Sequence, residues 1–223
     1  EANSSYVMQG IIKYLLDDNK YAKSLRNFYV FKIVPMLNPE GVAVGNNRTG
    51  TAGADLNRRW AEPNEKLHPT IYYTKQALAE FKKEREILIF CDIHGHSMKK
   101  NAFIYGCNTA ADGGFCSWTK VRLFPRIFAR KTHVFSLSDC TFRVTPDRIG
   151  TARVTVWREF KITNSFTLEV SLWGYDYGEQ VIPFTDESLE QLGRDFLLSL
   201  LEYTYVWAEL TREFILTGGW LKP

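Results

Sequence analysis

The amino-acid sequence predicts an α/β protein in which a mixed central sheet is flanked by helices. Apolar runs rich in β-branched and aromatic residues alternate along the chain with segments of helical periodicity, a pattern typical of an α/β sandwich. The length of 223 residues fits one large domain with a sizeable core. Hydrophobic residues make up 45% and charged residues 24% of the chain, as in ordinary globular proteins.

The helices are predicted from their apolar faces and from capping residues. Asn3, Ser4 or Ser5 can cap a first helix that ends near Leu16. Further helices are predicted over residues 21–27, 69–86, 118–131 and 185–207. Pro125 predicts a kink or a helix start within the fourth of these five helices. The pattern of residues 153–160 fits a helix and a strand equally well.

The strands are predicted from short apolar runs that end in polar or turn-forming residues. They cover residues 28–34, 86–91, 101–107, 133–144 and 165–170. Loops are predicted over residues 34–60, 110–114 and 146–152. The second strand runs directly into His94, and the last strand contains Glu169, so two ionisable residues lie in or beside buried strands.

Charge and composition argue against some partners. The formal net charge of +3 is mild and no basic block occurs, so nucleic acid is not expected as a partner. No apolar run is long enough for a membrane span. The four cysteines show neither a CxxC pair nor a framework spacing, which indicates a reducing, cytosolic compartment. They are Cys91, Cys107, Cys116 and Cys140.

The loop over residues 34–60 is unusually rich in side chains that donate hydrogen bonds. Its arginines and asparagines are Arg48, Arg58, Arg59, Asn38, Asn46, Asn47 and Asn57. Arginine holds a carboxylate through two parallel hydrogen bonds, and loops that follow buried strands commonly bind ligands in α/β proteins. The loop therefore indicates a ligand with a carboxylate. The alternative is a solvated loop whose arginines pair with surface acids.

His94 and Glu169 are the candidate chemical groups. His94 follows a buried strand, at the sheet edge where open α/β sheets place their sites, and a neutral imidazole there suits zinc. A hydrogen-bonded core or surface histidine is the alternative. Glu169 lies in a strand-like run and fits a general base. The solvated face of an antiparallel strand explains its position equally well.

Four motifs resemble those of the zinc metallocarboxypeptidases, most closely the cytosolic carboxypeptidase subfamily, the tubulin deglutamylases. They are NPEG at residues 38–41, DLNR at 55–58, DIHGHS at 92–97 and NSFTLE at 164–169. Each motif is weak alone, but their order and spacing together are specific. The resemblance covers residue 1 to about residue 201 and implies a zinc carboxypeptidase-like α/β/α sandwich.

The resemblance implies a zinc site. The subfamily binds zinc through a His-Pro-Gly-Glu motif and a distant histidine, and Glu1 with the residues after it looks like this motif without its first three residues. Glu1 and His94 are then the expected zinc ligands, and the first imidazole lies upstream of the sequence. The chain, residues 1–223, is accordingly expected to be a partial catalytic domain that lacks an upstream strand and this histidine.

The resemblance also implies roles for four residues of the site. Asn57 and Arg58 are expected to hold the C-terminal carboxylate of the substrate, and Arg48 to polarise the scissile carbonyl. Glu169 is expected to activate the attacking water and to pass its proton to the leaving amine.

The side-chain pocket departs from the family pattern. Pancreatic-type enzymes carry a mobile tyrosine in the loop before the catalytic glutamate, but residues 150–159 contain none. Arg153 and Arg158 are candidates for a pocket that favours terminal glutamate. Surface or ion-paired roles explain both arginines equally well. His96 and Asp92 are interpreted either as groups that orient zinc ligands or as polar turn residues.

These expectations combine into one function and two alternatives. The chain is expected to belong to a cytoplasmic zinc carboxypeptidase that removes C-terminal or side-chain-linked glutamates from acidic tails such as those of tubulin. Association with microtubules or cilia and a monomeric state fit this expectation. The alternatives are a carboxypeptidase with another terminal-residue preference and an inactive protein that only binds carboxylate tails.

Overall fold

A small mixed sheet forms the centre of the molecule. The computed structural model describes residues 1–108 and 114–216. The central sheet contains β1 (Phe90–His96), β2 (Ala102–Tyr105) and β3 (Ser165–Ser171) in the order β1-β3-β2. β3 pairs parallel with β1 and antiparallel with β2, so the predicted mixed sheet is confirmed. A separate hairpin pairs β4 (Tyr175–Tyr177) with β5 (Gln180–Ile182).

Helices surround this sheet, and each begins where the sequence provides a suitable residue. They are α1 (Ala2–Leu16), α2 (Lys20–Phe28), α3 (Pro39–Val44), α4 (Pro69–Glu84), α5 (Gly114–Lys131), α6 (Ala152–Phe160) and α7 (Asp186–Leu216), with 3-10 turns at Leu56–Arg58 and Pro146–Arg148. Asn19 caps α2, because its side-chain oxygen accepts hydrogen bonds from the amides of Tyr21 and Ala22. None of the described helices combines the length and apolar character needed to cross a membrane.

Two hydrophobic clusters lie on the two faces of the sheet. The larger cluster joins α1, α5 and α7 to one face, where Phe166 of β3 stacks on Phe124 of α5. The smaller cluster contains Trp60, whose ring meets Phe90 of β1 edge-on, and it includes residues of α4 and α6. Because successive strand residues face opposite sides, Phe90 and Cys91 belong to different clusters. The result is the predicted α/β/α sandwich.

Helices α1 and α7 approach each other at two glycines. A Cβ atom on Gly10 would lie 2.1 Å from the carbonyl oxygen of Glu190, and one on Gly193 would lie 2.2 Å from that of Val7. Such distances are far below van der Waals contact, so no other residue fits at either position without moving a backbone. Glu1 is the N-cap residue of α1, and the contact with α7 therefore fixes the helix that carries Glu1.

The prediction of a strand over residues 28–34 is wrong. Alternation of side chains is present, because Phe31 and Ile33 pack against the core while Val30 and Val34 are exposed. Within the described residues, however, this extended segment pairs with no strand. An apolar, alternating pattern reports which side chains are buried, but ladder formation also needs a neighbouring backbone.

Two further strand predictions need correction. The strand predicted over residues 86–91 is displaced, since β1 begins at Phe90 and continues through His94. Residues 133–144 do not form a strand and make only two isolated parallel bridges to β2, through Phe135 and Thr141. Turns between these two residues interrupt the pairing. The predicted loop over residues 110–114 lies almost entirely outside the described residues.

The secondary structure of two other segments differs from, or completes, the prediction. Residues 153–160, which fitted a helix and a strand, belong to α6. The loop predicted over residues 34–60 contains the unpredicted helix α3, which Asn38 caps through a hydrogen bond from the amide of Gly41. Gly45 ends α3 with the left-handed backbone that glycine adopts readily, at φ 79°.

Candidate active site

The candidate site lies at the carboxyl ends of β1 and β3. His94 and Glu169 are direct neighbours in the parallel ladder that joins these strands. His94 lies within β1, two residues before its end, rather than after the strand as the sequence predicted. The sheet therefore holds the two candidate chemical groups side by side on rigid backbone.

Glu1, His94 and Asp92 form one connected set. The Glu1 carboxylate Oε2 lies 2.7 Å from Nδ1 of His94, and the Asp92 carboxylate Oδ2 lies 2.7 Å from Nε2 on the other side of the ring. The amide of Gly95 also donates to Glu1 Oε2, at 3.3 Å. A Cβ atom on residue 95 would come within 3.2 Å of Cα and Cβ of Glu1, so glycine allows this close approach.

Charge shifts the proton affinities of this set. Burial disfavours the charged imidazole of His94, but the carboxylates of Asp92 and Glu1 outweigh burial and raise its pKa well above the usual value. Burial acts to raise the pKa of Glu1, yet the hydrogen bond and charge of His94 lower it overall. The set therefore favours a cation, either a proton or a metal ion, between its carboxylates.

The donor set of these residues fits zinc in part. Asp92 holds one ring nitrogen of His94 and the other faces Glu1, an arrangement found where a carboxylate orients a metal-binding histidine. Catalytic zinc usually has three protein ligands. Over residues 1–108 and 114–216, no group of three or more His, Cys, Asp or Glu side chains is arranged so that it could hold a metal ion. Glu1 and His94 are thus two candidate ligands, and the described part of the chain offers no third.

Glu169 is a mostly buried carboxyl group in the central strand. Burial, aided by the nearby acids Glu1 and Asp92, raises its pKa to about 7 against the opposing charges of His94 and Arg148. The antiparallel partner of Glu169 is the fully buried Phe103 of β2. The solvated-face interpretation is therefore wrong for this strand. A carboxyl group with a pKa near neutrality can both accept and donate a proton at physiological pH.

Asp55 joins the two arginines of the polar loop. Its Oδ2 atom lies 2.8 Å from Nε of Arg48 and 3.8 Å from Nη1 of Arg58. Nη1 of Arg48 also reaches to 3.6 Å from Oε1 of Glu1. Both guanidinium groups remain partly exposed. Arg48 and Arg58 are thus held beside the candidate metal ligand, with donors left over for a ligand.

Asn57 connects the polar loop to β1 and α6. Its Nδ2 atom lies 3.3 Å from Nε2 of His94, and its Oδ1 accepts a 2.9 Å hydrogen bond from the amide of Ala152 at the start of α6. The amide of Trp60 donates to the carbonyl of Gly150, so a second hydrogen bond joins the same segments. The fold therefore brings together Glu1, Arg48, Asn57, Arg58, His94 and Glu169, whose roles stay predictions.

The two pocket candidates on α6 differ in position. Arg153 is 4% exposed, and its guanidinium donates to the carbonyl of Gly106 and lies 5.7 Å from the centre of the Tyr105 ring. Burial lowers its pKa, with Cys107, Tyr105 and Glu169 among the groups near it. Arg158 is exposed in the last turn of α6. The structure thus brings Arg153 towards Glu169 but does not bring Arg158 there.

Sequence reasoning gave no role to two residues that the site contains. Asp55 belongs to the DLNR motif, and only the folded loop reveals that it holds two arginines. Arg148 lies in the turn before α6, pairs with Asp147 and contributes to the pKa shifts of Glu169 and His96. Nδ1 of His96 accepts hydrogen bonds from the backbone amides of Met98 and Lys99, as expected of a polar turn residue.

Fold and site together define the class of protein. Candidate ligands near the carboxyl end of a parallel strand, beside a carboxyl group with a raised pKa, are typical of metal-dependent hydrolases on α/β scaffolds. The zinc carboxypeptidase family model matches residues 1–113. The chain therefore belongs to the zinc carboxypeptidase family, and the family description implies a zinc cofactor.

Curated relatives agree with this assignment. The chain is similar to cytosolic carboxypeptidase 1 of Danio rerio, with 42% identity over 213 residues and 90% of the chain. It is similar to cytosolic carboxypeptidase 3 of Mus musculus, with 41% identity over 210 residues and 91% of the chain. The chain spans only 18% and 20% of the lengths of these two relatives.

Solved structures show the same fold. A metallo-carboxypeptidase from Burkholderia cenocepacia superposes with a TM-score of 0.81 at 24% identity, over 93% of the chain and 54% of that protein. A putative carboxypeptidase from Burkholderia mallei superposes with a TM-score of 0.78 at 26% identity, over 92% of the chain and 54% of that protein. The predicted fold class is thereby confirmed.

Proposed function

We propose that the protein containing this chain is a zinc-dependent carboxypeptidase that removes glutamate residues from acidic polypeptide tails, such as those of tubulin. The observation that carries this proposal is the cluster at the carboxyl ends of β1 and β3. There Glu1 lies 2.7 Å from His94, and Glu169 is the ladder neighbour of His94. The relatives' name, cytosolic carboxypeptidase, supports the subfamily and a cytoplasmic location.

Glu1 and His94 are the proposed zinc ligands of this chain. Asp92 holds the His94 ring so that one nitrogen remains available beside Glu1. When bound, zinc supplies a Lewis acid that polarises a carbonyl and makes water more acidic. Arg48, within 3.6 Å of Glu1, is placed to donate to the carbonyl oxygen of the scissile bond as negative charge develops there.

Glu169 is the proposed acid–base group. Its buried carboxylate takes a proton from the attacking water and returns it to the leaving amine. Asn57 and Arg58 are proposed to hold the terminal carboxylate of the substrate, because amide and guanidinium donors suit a carboxylate. The hydrogen bond from Ala152 fixes the Asn57 oxygen, and this leaves the amide nitrogen to face the site.

Arg153 is the proposed determinant of the preference for glutamate. It is a buried cation close to Glu169, and no acidic side chain of the described residues forms an ion pair with it. A substrate carboxylate would satisfy this charge. Arg158 is the other candidate from the sequence, but its exposed position gives this role less support. Substituting each arginine separately and measuring the preference for glutamate distinguishes their roles.

The test uses the full-length protein and peptides that differ only in the last residue. We expect about stoichiometric zinc by elemental analysis and release of the terminal residue fastest from the peptide ending in glutamate, compared with lysine and phenylalanine. Chelation should abolish release, and added zinc should restore it. A preference for lysine or phenylalanine would favour another carboxypeptidase specificity, and zinc-free protein that binds tails without turnover would favour the inactive alternative.

A further inference from the structure

A basic pocket lies at the amino ends of β1 and β3, opposite the candidate active site. Its rim carries Lys82, Arg85, Lys120 and Lys161, and Asn164 lies directly before β3 in its wall. β1 has seven residues, so it separates the two ends of the sheet by about 20 Å. Groups at this distance cannot contact the same ligand residue, and the basic pocket therefore needs its own explanation.

The cations of the basic pocket are largely uncompensated. Among the described residues that line the pocket, Glu86 is the one acidic residue beside the four basic ones. Across the described parts of the chain, no carboxylate forms an ion pair with Arg85 or Lys161. The resulting net charge of the lining equals the +3 of the whole 223-residue chain. Such a concentration of charge attracts anions.

Helix ends account for only part of this charge. Lys82 donates to the carbonyl of Phe160, the last residue of α6, and so compensates the negative end of that helix. The ammonium of Lys120 lies 5.2 Å from the centre of the Trp207 ring. Arg85 and Lys161 have no comparable partner among the described residues. These two side chains are therefore available to an external anion.

In the wall of the basic pocket, Asn164 carries a side-chain oxygen that receives no hydrogen bond. The amide nitrogen of Asn164 donates to the carbonyl of Leu88 at 3.1 Å and to the hydroxyl of Tyr203 at 2.9 Å. Its oxygen Oδ1 is buried and has no partner. A buried acceptor of this kind is costly until an N–H or O–H group reaches it. The oxygen has almost no accessible surface, so a donor from outside reaches it only if the Asn164 side chain turns towards the pocket.

The size of the basic pocket favours part of a chain over a whole small molecule. Its volume is about 170 Å³. Sites for drug-sized molecules usually enclose about 300–1,000 Å³. A polypeptide segment needs room for only one side chain at a time, and its backbone supplies N–H donors. Carboxylate side chains supply the negative charge that the rim attracts.

We propose that the basic pocket is a second binding site, separate from the candidate active site, for an acidic stretch of polypeptide. Side-chain carboxylates of the ligand bind Arg85 and Lys161 at the rim. The proposal does not rest on the proposed hydrolytic function, because binding of internal carboxylates requires neither zinc nor a free C-terminus.

The test measures binding of a labelled polyglutamate peptide whose two ends are acetylated and amidated. The capped peptide offers no terminal carboxylate to Asn57 and Arg58. We compare the full-length protein with the double variant Arg85→Gln/Lys161→Asn by fluorescence anisotropy at fixed ionic strength. Asparagine suits residue 161 because it tolerates the left-handed backbone there, φ 56°. We expect Kd to rise about fivefold to tenfold in the double variant.

A matched double variant, Lys66→Asn/Arg130→Gln, removes the same charge from exposed positions outside the basic pocket. Its Kd should stay near that of the natural sequence. An equal loss in both variants, or a loss in neither, would overturn the proposal. Displacement of the peptide by millimolar inorganic phosphate at constant ionic strength would assign the pocket to phosphate instead.

Hydrogen exchange on the unaltered full-length protein gives a readout that does not depend on the variants. The capped peptide should slow exchange of the backbone amides at residues 85–89 and 161–164. A capped polyglutamine peptide is the control and should leave exchange there unchanged. Binding of polyglutamate without protection of these amides would place its site elsewhere and would refute the proposal, even if the double variant fails to fold.

Discussion

At the carboxyl ends of β1 and β3, the His94 ring contacts Glu1 on one side and Asp92 on the other, and the partly buried Glu169 lies beside it. At the amino ends of the same strands, Arg85 and Lys161 stand exposed without an ionic partner in the described chain. Burial and contact tune proton affinity at the first end. At the second end, exposed charges act by attraction alone. One pair of strands thus presents two kinds of electrostatic site.

We expect the largest effect from a substitution at the carboxyl ends of β1 and β3, which should abolish the difference between the two ends. Glu169→Gln keeps the size of the side chain and removes its ability to exchange a proton, so kcat for a glutamate-terminated peptide should fall by about 10²–10⁴. The capped polyglutamate peptide should bind the variant normally. Glu62→Gln, at an exposed position, is the matched control and should keep full activity. Full turnover by Glu169→Gln would remove this residue from the mechanism.

A second substitution pair sharpens the comparison within α6. Arg153→Gln should reduce the preference for terminal glutamate over phenylalanine by about 10–100-fold, because a charge-assisted hydrogen bond contributes about 1.5–3 kcal/mol. Arg158→Gln, exposed on the same helix, should leave the ratio of kcat/KM values unchanged. Thermal unfolding of both variants separates a loss of preference from a loss of fold. A larger loss of preference in Arg158→Gln than in Arg153→Gln would make Arg158 the residue that selects glutamate.

The smallest expected effect concerns the residue that holds the arginines. Asp55→Asn keeps hydrogen-bonding capacity but removes the charge between Arg48 and Arg58, and exposed ion pairs of this kind contribute about 0.2–1 kcal/mol each. KM should therefore rise about twofold to fivefold while zinc content stays constant. Asp18→Asn, which removes an exposed carboxylate that pairs with Lys23, is the control. A change larger at Asp18 than at Asp55 would contradict the prediction.

The sequence predicts the site better than it predicts the sheet. His94 and Glu169 could be found because the first directly follows an apolar strand pattern and the second interrupts one, and a polar residue in such a place requires a local reason. The ordered motifs then indicated which residues converge. The segment over residues 28–34 shows the opposite case, since its alternation is real but its strand assignment depends on a backbone neighbour that no local pattern specifies.

Two site residues show why the remaining details could not be predicted. Asp55 acquires its role only when the loop folds so that two arginines meet one carboxylate. Arg153 and Arg158 look equivalent in sequence, yet five residues of an α-helix rotate their side chains by about 140° relative to each other. Only one of them can then face the sheet, and a segment that also fits a strand does not reveal which.

The glycine contact between α1 and α7 has a consequence for how the site tolerates change. Gly10 lies about 14 Å along α1 from Glu1, because nine residues separate them. The helix is rigid, so the close contact at Gly10 fixes the position of the Glu1 carboxylate at its amino end. The position of the Glu1 carboxylate beside His94 thus depends on Gly10 and Gly193, which lie outside the candidate site. A methyl group added at either glycine would push α1 and α7 apart and displace Glu1 without contacting the site itself.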